Sequence, residues 1–241
     1  MKIWIIRHGE PENGQDSLTE KGWREAHLLA DRLEKETMDY LYVSPLVRAR
    51  ETAEPLLTRL NREAVILPWL TEFSYPVTRD DGTTNPVPWD TLPAQWMSHP
   101  ENFTLEGWKN TELSRSGDLE RHYDEVIQGL DLLLAEHGYA RDGFCYRAER
   151  PNTDTLVFFC HFGLETVLLS HLLNLPLYTL WHATCARTSS ITTLVTEERQ
   201  KGIASFRMLT FGDVSHLTAA GEEPSFHARF CEIYDDMSQR H

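Results

Sequence analysis

The chain has 241 residues, an apolar fraction of 41% and seven tryptophans, which suffices for one large packed domain and excludes a disordered chain. Its 37 acidic and 23 basic side chains give a net charge of −14, so its surface repels nucleic acid and anionic membranes. Any site for a phosphate group must therefore be a local basic pocket.

Neither a targeting segment nor a cysteine-based site is indicated by the sequence. The apolar run at residues 1–6 is too short for a signal peptide, and no later stretch is long and apolar enough to cross a bilayer. The cysteines lack a Cys-x-x-Cys pair, which favours neither a disulfide framework nor a zinc ribbon. They are Cys145, Cys160, Cys185 and Cys231. We therefore expect reduced thiols in a cytoplasmic protein, with neither nucleic acid nor membrane as a partner.

The first part of the chain alternates short apolar runs with helical patterns, which is typical of an α/β domain. Its predicted elements are, in order, a strand at 3–6, a helix from Thr19, a strand at 40–43, a helix after Ser44-Pro45 to about residue 60, and a weaker strand at 64–67. Pro55 falls inside the second helix and lacks a backbone donor, so we expect a kink there or a late start of the helix.

Residues 74–117 differ from the rest in composition, with five prolines, several aromatic residues and poor periodicity. This segment is interpreted as an insertion outside the central sheet, and as a candidate substrate cap. The elements predicted after it are a helix at 118–137, a strand at 155–160, a helix at 164–173 and an antiparallel pair of strands at 191–195 and 203–210. Together these elements indicate an α/β fold.

Three groups of polar residues follow predicted strands. Arg7-His8-Gly9-Glu10 follows the first strand, Ser44-Pro45-Leu46-Val47-Arg48 the second, and His161-Phe162-Gly163 the strand at 155–160. In open α/β sheets, ligands bind outside the carboxyl ends of the strands. The three groups could therefore meet in one crevice, although their spacing alone does not establish that they do.

If these groups meet, their chemistry suits a phosphate monoester. Two guanidiniums can hold a phosphate dianion by paired hydrogen bonds, and two imidazoles supply a nucleophile and a second donor. Nearby positive charge lowers the pKa of an imidazole, which would keep His8 neutral and nucleophilic. Gly9 would let the backbone approach the phosphate closely. An acid is also needed, because an alkoxide is a poor leaving group.

The sequence resembles the histidine phosphatase superfamily, the phosphoglycerate-mutase-like proteins. Arg-His-Gly-Glu near the N-terminus is similar to the signature of that family, and further similar segments follow in the same order over nearly the whole chain. These segments are Leu18-Thr19-Glu20-Lys21-Gly22, Ser44-Pro45-Leu46-Val47-Arg48-Ala49-Arg50-Glu51-Thr52-Ala53, Cys160-His161-Phe162-Gly163 and Asp213-Val214-Ser215-His216-Leu217.

The resemblance implies a three-layer αβα sandwich with a mostly parallel central sheet, forming a single domain over residues 1–241 with an inserted cap at about 74–117. It also implies roles for individual residues. His8 matches the phosphorylated nucleophile, and Arg7, Arg48 and His161 match the remainder of the phosphate pocket. Glu72, shortly after the third strand, matches the proton donor and would later activate water. Neither a metal nor a cofactor is expected, because the guanidiniums supply the positive charge.

Two segments depart from the pattern of the family. The family often has Asn six residues after the nucleophile, where this chain has Gly14, with Asn13 one position earlier. Many phosphatases of the family have Gly-x-Trp-Glu-Gly after the acid, whereas Phe73-Ser74-Tyr75-Pro76 follows Glu72 here. The role of Asn13 and the assignment of Glu72 therefore depend on the structure more than the histidines do.

The favoured function is a phosphatase that hydrolyses a phosphate monoester of a small metabolite through a phosphohistidine intermediate. A phosphoglycerate-type mutase is the first alternative, and it is disfavoured because the long basic features of the mutases are absent. The second alternative is a non-catalytic module that binds a phosphorylated ligand. Retention of both histidines, both arginines and an acid argues against that module. Substrate identity and oligomeric state do not follow from the sequence.

Overall fold

The computed structural model describes residues 1–227 and 229–239; Ala228, Arg240 and His241 lie outside the described residues. Ten strands are found in the described part of the chain. They are β1 (Lys2–Arg7), β2 (Tyr40–Val43), β3 (Val65–Ile66), β4 (Val77–Thr78), β5 (Thr84–Asn85), β6 (Tyr139–Asp142), β7 (Cys145–Ala148), β8 (Thr155–Cys160), β9 (Ile191–Gln200) and β10 (Ile203–Asp213).

Eight of these strands form one sheet in the order β3-β2-β8-β1-β9-β10-β7-β6. The half made by β3, β2, β8 and β1 is parallel, and every pairing from β1 through β9, β10 and β7 to β6 is antiparallel. The sheet is therefore mixed. All three motif-bearing strands lie in its parallel half, where their carboxyl ends share one edge.

Eight α-helices are described, and the longer ones cover the two faces of the sheet. They are α1 (Glu20–Leu33), α2 (Val47–Leu60), α3 (Pro93–Trp96), α4 (Glu112–Ser116), α5 (Leu119–Glu136), α6 (Phe162–Leu173), α7 (Leu177–Ala183) and α8 (Ser215–Ala220). Helices α1 and α2 pack on one face, and α5, α6 and α7 pack on the other. This arrangement confirms the predicted αβα sandwich.

The central strands are buried on both faces because successive side chains of a strand point to opposite sides. In β1, Ile3 and Ile5 belong to the core under α5 and α6, whereas Trp4 and Ile6 belong to the core under α1 and α2. Strand β8 divides in the same way and is buried along its whole length. Truncating its Phe159 to Ala would cost about 3–5 kcal/mol of stability.

Local signals fix the ends of the first two helices. The hydroxyl of Thr19 accepts a hydrogen bond from the backbone of Gly22 at 3.0 Å and caps α1 where the sequence predicts. Helix α2 has no cap of its own, and the carboxylate of Asp16 accepts from the backbone of Val47 at 2.7 Å instead. Pro55 lies inside α2, which begins at Val47, so the expected late start is wrong.

Outside residues 74–117, the sequence patterns missed the hairpin before β8 and the short helices α7 and α8. The polar stretch before β8 contains the hairpin of β6 and β7, which pairs with β10 at the antiparallel end of the sheet. Helix α7 follows α6 directly beyond Pro176, which is its N-cap. All of these strands and helices are short, and short elements have too few residues to show a clear periodicity of hydrophobic residues.

The segment at 74–117 contains a separate two-stranded sheet of β4 and β5, the short helices α3 and α4 and two 3₁₀ turns. Val77, Trp108 and Leu113 anchor it in the core beside α5 and α6. The segment therefore lies outside the central sheet and packs on the same face of the sheet as α6.

None of the helices among the described residues combines the length and the hydrophobicity that a bilayer span requires. Within the same residues, no disulfide links any of the four cysteines.

Candidate active site

The three motifs predicted to meet lie together at the carboxyl edge of the parallel half-sheet. Strand β8 lies between β1 and β2, and backbone hydrogen bonds continue the pairing past the strand ends. The His8 amide donates to the carbonyl of Cys160 at 3.0 Å, and the Ser44 amide donates to Phe159 at 2.9 Å. His8, Ser44 and His161 are therefore held side by side by the backbone itself.

The two histidines form the centre of the site. Their ring centroids lie 5.2 Å apart at an angle of 54°. His8 is 4% exposed and His161 is fully buried. Burial lowers the pKa of His8 well below its usual value, and His161, Arg7 and Arg48 lower it further. Burial and the two arginines lower the pKa of His161 in the same way. Both rings are therefore neutral at physiological pH.

Hydrogen bonds determine which nitrogen of His8 is free. Its Nδ1 lies 2.7 Å from the carbonyl oxygen of Gly9. Because a carbonyl only accepts, Nδ1 must carry the proton and donate it. The lone pair of neutral His8 is then on Nε2, which gives this nitrogen the character of a nucleophile.

His161 is oriented by a different partner. Its Nε2 lies 2.7 Å from the hydroxyl of Ser44, and that hydroxyl oxygen accepts from the backbone of Leu46 at 3.2 Å. A bound oxyanion can only accept, so the tautomer that suits it has the Ser44 hydroxyl donating to Nε2 and the ring proton on Nδ1. Nδ1 is buried and has no hydrogen-bond partner among the described residues. It is available to donate to a bound oxyanion.

The two arginines approach from different elements. Arg7, at the end of β1, is 4% exposed and donates from Nη1 to the carbonyl of Ala186 at 2.7 Å. Arg48 lies in the first turn of α2 and pairs with Asp16 at 2.8 Å. Both influence the pKa values of His8 and His161. Arg50, two residues further along α2, is exposed on the surface.

Glu72 follows the short 3₁₀ turn after β3. Its Oε1 accepts from the backbone of Phe73 at 2.8 Å and of Leu164, in the first turn of α6, at 3.2 Å. Burial raises the pKa of its carboxyl, while Arg48, Arg7 and the two amides oppose that rise. A phosphate dianion that faces a carboxyl group would also raise its pKa, by repulsion. In the structure, burial raises it without one.

The ligating atoms of His8, Glu72 and His161 all lie within 4.8 Å of one another. Two imidazoles and a carboxylate could hold a divalent transition metal. Two guanidiniums in the same site oppose a cation and favour an anion. The donor set therefore fits a phosphate group better than a metal.

A close contact between two glycines positions the loop that carries His8. A Cβ on Gly9 would lie 2.7 Å from the carbonyl oxygen of Gly22, and one on Gly22 would lie 2.3 Å from that of Glu10. The loop and the start of α1 can approach this closely only without side chains. This contact is a second reason for glycine at position 9, besides approach to a phosphate.

Sequence reasoning assigned no role to several residues that shape the site. The hydroxyl of Thr52 accepts from the Gly9 amide at 2.8 Å and donates to the carbonyl of Arg48 at 2.7 Å, so it joins the segment of His8 to the segment of Arg48. The buried carboxylate of Glu25 accepts from the Glu10 amide at 2.8 Å and from the Thr188 hydroxyl at 2.9 Å. Their only sequence signal is their place within or next to the motifs.

Glu165 is a further buried acid that the sequence did not single out. It is fully buried one turn into α6, and neither carboxylate oxygen has a hydrogen bond of normal geometry among the described residues. Burial raises its pKa to about 7, although the nearby Thr192 hydroxyl and Arg7 offset part of the effect.

Asn13 does not belong to the buried group of side chains. It lies in an exposed loop beside Gly14, which adopts a positive φ of 75°.

The final family-like segment, at residues 213–217, has a structural role. Asp213 pairs with Arg32 at 2.7 Å, and the His216 ring lies 2.9 Å from the hydroxyl of Ser189.

A segment near the C-terminus contacts Arg7 at the edge of the site. The carbonyl of His227 lies 3.5 Å from Nη1 of Arg7, and the carbonyl of Ser225 lies 3.4 Å from Nη1 of Arg187. Lys21, in α1, pairs with Glu222 at 2.7 Å. The segment is thereby held against Arg7, Arg187 and α1.

Comparisons with known proteins agree with this geometry. The model of the histidine phosphatase superfamily (branch 1) matches residues 3–208. Adenosylcobalamin/alpha-ribazole phosphatase of Salmonella typhi is 24% identical over 191 residues, which cover 76% of this chain and 84% of the relative. A probable phosphoglycerate mutase of Yersinia pestis is 28% identical over 157 residues, covering 58% and 71%.

Solved structures show the same fold. Phosphoserine phosphatase of Entamoeba histolytica in complex with 3-phosphoglyceric acid matches with a TM-score of 0.61 and 18% identity, over 90% of this chain and 98% of that chain. Mycobacterial glucosyl-3-phosphoglycerate phosphatase complexed with VO3 matches with a TM-score of 0.57 and 20% identity, over 88% and 98%.

Proposed function

This chain belongs to the histidine phosphatase superfamily, and we propose that it hydrolyses a phosphate monoester of a small metabolite through a phosphohistidine at His8. The observation that carries the proposal is the hydrogen bond from Nδ1 of His8 to Gly9, which leaves Nε2 as a lone-pair nucleophile. The second imidazole and a carboxyl group with a raised pKa lie close to the His8 ring, and two guanidiniums lower the pKa of that ring.

In the first half-reaction, Nε2 of His8 attacks the phosphorus atom and the bond from phosphorus to the substrate oxygen breaks. The carboxyl of Glu72 donates its proton to the departing oxygen, so an alcohol leaves rather than an alkoxide. Arg7, Arg48 and Nδ1–H of His161 hold the phosphoryl oxygens and stabilise the charge that they carry in the transition state.

In the second half-reaction, the Glu72 carboxylate takes a proton from water, and the water oxygen attacks the phosphohistidine. The bond from phosphorus to nitrogen breaks, inorganic phosphate leaves, and both His8 and Glu72 return to their starting protonation states. The carbonyl of Gly9 accepts from Nδ1 throughout and keeps the ring in place. No step requires a metal or a cofactor.

We propose residues 74–117 as a substrate cap on a single domain. The cap is supported by Trp89, whose ring lies against Gly163 in the first turn of α6, beside the carboxylate of Glu72.

We propose a cytoplasmic location, and the spacing of the cysteines is its only support. A small phosphorylated molecule is the only partner that we propose.

The deciding experiment is a coupled assay of purified protein against a panel of phosphorylated metabolites. We expect release of inorganic phosphate and no isomerisation of phosphoglycerate. Isomerisation without phosphate release would favour the mutase, which the similarity to a probable phosphoglycerate mutase keeps as the second candidate. Tight phosphate binding without turnover of any substrate, aryl phosphates included, would favour the non-catalytic module.

A further inference from the structure

A cavity of about 690 Å³ lies beside the proposed phosphate-binding residues. Of the residues that line it, Phe162 is the one that also lies in a sequence motif. Its walls are mostly aromatic, and its volume lies in the range of sites that enclose a small molecule. The main lining residues are Trp89 and Trp96 from the insertion, Phe162 from α6, Trp181 and His182 from α7, and Phe230 from the C-terminal segment. We call this cavity the aromatic pocket.

Phe162 joins the aromatic pocket to the phosphate site. It directly follows His161, and the guanidinium carbon of Arg7 lies 5.8 Å from the centroid of its ring. The ring of Trp89 meets Phe162 edge-on at 5.9 Å. The floor of the pocket is therefore continuous with the residues that would hold the phosphoryl group.

Trp89 places the aromatic pocket on the side of the proposed acid. A Cβ built on Gly163 would lie 2.5 Å from Nε1 of Trp89 and 2.8 Å from Oε1 of Glu72. Trp89 and Glu72 thus flank the same point of α6. Because a general acid must lie beside the leaving oxygen, the group attached to that oxygen extends toward the wall that Trp89 forms.

Two of the lining residues also carry buried nitrogen atoms without partners among the described residues. Nε1 of Trp89 and both ring nitrogens of His182 are buried and have no hydrogen-bond partner among the described residues. The edge of the Trp96 ring packs against His182 at 4.7 Å, and burial lowers the pKa of His182 to about 4. His182 is therefore a neutral ring that offers one donor and one acceptor.

We propose that the aromatic pocket binds the alcohol part of the substrate, and that this part carries a flat aromatic ring with a nitrogen or oxygen atom on its edge. The inference rests on the proposed function. Flat rings stack on indole and imidazole faces, and the unpartnered nitrogens would bind the heteroatom. A small hydrophilic alcohol would leave these walls uncovered.

The test compares ethyl, 2-phenylethyl and 2-(indol-3-yl)ethyl phosphates, which share the same kind of leaving alkoxide and differ in the attached ring. We expect kcat/KM to rise roughly 10- to 100-fold from the ethyl ester to the indolyl ester, because burial of a ring contributes about 1.5–3 kcal/mol. Equal kcat/KM across the series would overturn the inference.

Two substitutions then assign the preference to the aromatic pocket. Trp96→Ala should reduce the ratio of indolyl to ethyl kcat/KM about 10-fold. Leu92→Asp, at an exposed position of the pocket rim, should reduce it as well, and Asp is a favourable cap for α3, so folding is retained. Trp23→Ala in α1 is the matched control and should leave the ratio unchanged. A preference that survives both pocket variants would refute the assignment.

Calorimetric titration with the free alcohol, 2-(indol-3-yl)ethanol, separates this inference from the proposed function. If no ester is hydrolysed but the alcohol binds to the wild type and not to Trp96→Ala, the inference that the aromatic pocket binds a flat ring is supported and the phosphatase proposal is refuted. If the esters are hydrolysed with equal kcat/KM and the alcohol does not bind, the phosphatase proposal stands and the pocket fails.

Discussion

The hydroxyl of Ser44 lies 2.7 Å from Nε2 of His161, and when it donates to that nitrogen the ring proton is on the opposite nitrogen, Nδ1. Ser44→Ala should lower kcat/KM about 10-fold, because His161 would then populate both tautomers. The loss should vanish in a His161→Ala background, since Ser44 acts only through that ring. Kinetics of both single variants and the double variant test this, and additive losses would contradict it.

His8→Ala should abolish turnover and the phosphoenzyme, because no other neutral imidazole nitrogen is placed to attack phosphorus. The measurement is rapid acid-free quenching after mixing with a radiolabelled substrate. His171→Asn is the control, since His171 pairs with Asp131 outside the site. A phosphoenzyme that still forms in His8→Ala would move the nucleophile to another residue.

Glu72→Gln should lower kcat/KM for alkyl phosphates about 10²- to 10⁴-fold, and for nitrophenyl phosphate far less, because nitrophenolate leaves without protonation. The parameter kcat/KM reports the first phosphoryl transfer and is independent of the later attack of water. Glu54→Gln, on the exposed face of α2, is the control. Equal losses on both substrates would remove Glu72 from the role of acid.

Glu165→Gln should change how stability depends on pH. Burial raises the pKa of Glu165 to about 7, above the pKa of about 4.3 that a glutamate has in the unfolded chain. The favourable contribution of the protonated carboxyl to the free energy of unfolding is therefore complete below about pH 4.3 and is lost as the pH rises through about 7. The free energy of unfolding of the wild type, relative to the variant, should fall by about 2 kcal/mol between pH 5 and pH 8. Urea unfolding at both pH values measures this, and a flat difference would place the ionisation elsewhere.

Turnover should survive dialysis against a chelator, because Arg7 and Arg48 supply the positive charge at the phosphate. His8, Glu72 and His161 nevertheless lie close enough to ligate an ion, so added zinc should inhibit competitively with substrate. Activity that disappears on chelation and returns with a divalent metal would contradict the proposed mechanism.

Much of the fold was predictable because its signals are local. The continuous apolar runs of β1 and β8, the cap at Thr19 and the helical spacing of α1 and α5 are properties of neighbouring residues, and the structure confirms them. The three motifs were found for the same reason, since each directly follows a strand. The short hairpin of β6 and β7 was missed because it has too few residues to show a period.

The arrangement of the strands was decided only in three dimensions. Strand β8 inserts between β1 and β2, although it follows both in the chain, and this places His161 between Ser44 and His8. Asp16 caps a helix from a preceding loop, and Glu165 is buried without a strong partner. No local pattern contains such relations, because they depend on which surfaces pack together.

The sequence by itself therefore identified the candidate residues for the chemistry, since motif identity and strand ends are local. The tertiary structure decided which nitrogen of each histidine is free, where the acid lies, and that aromatic side chains from three distant segments enclose one cavity. Those features arise from long-range packing, in which the neighbours of a side chain are set by the folded core rather than by its position in the chain.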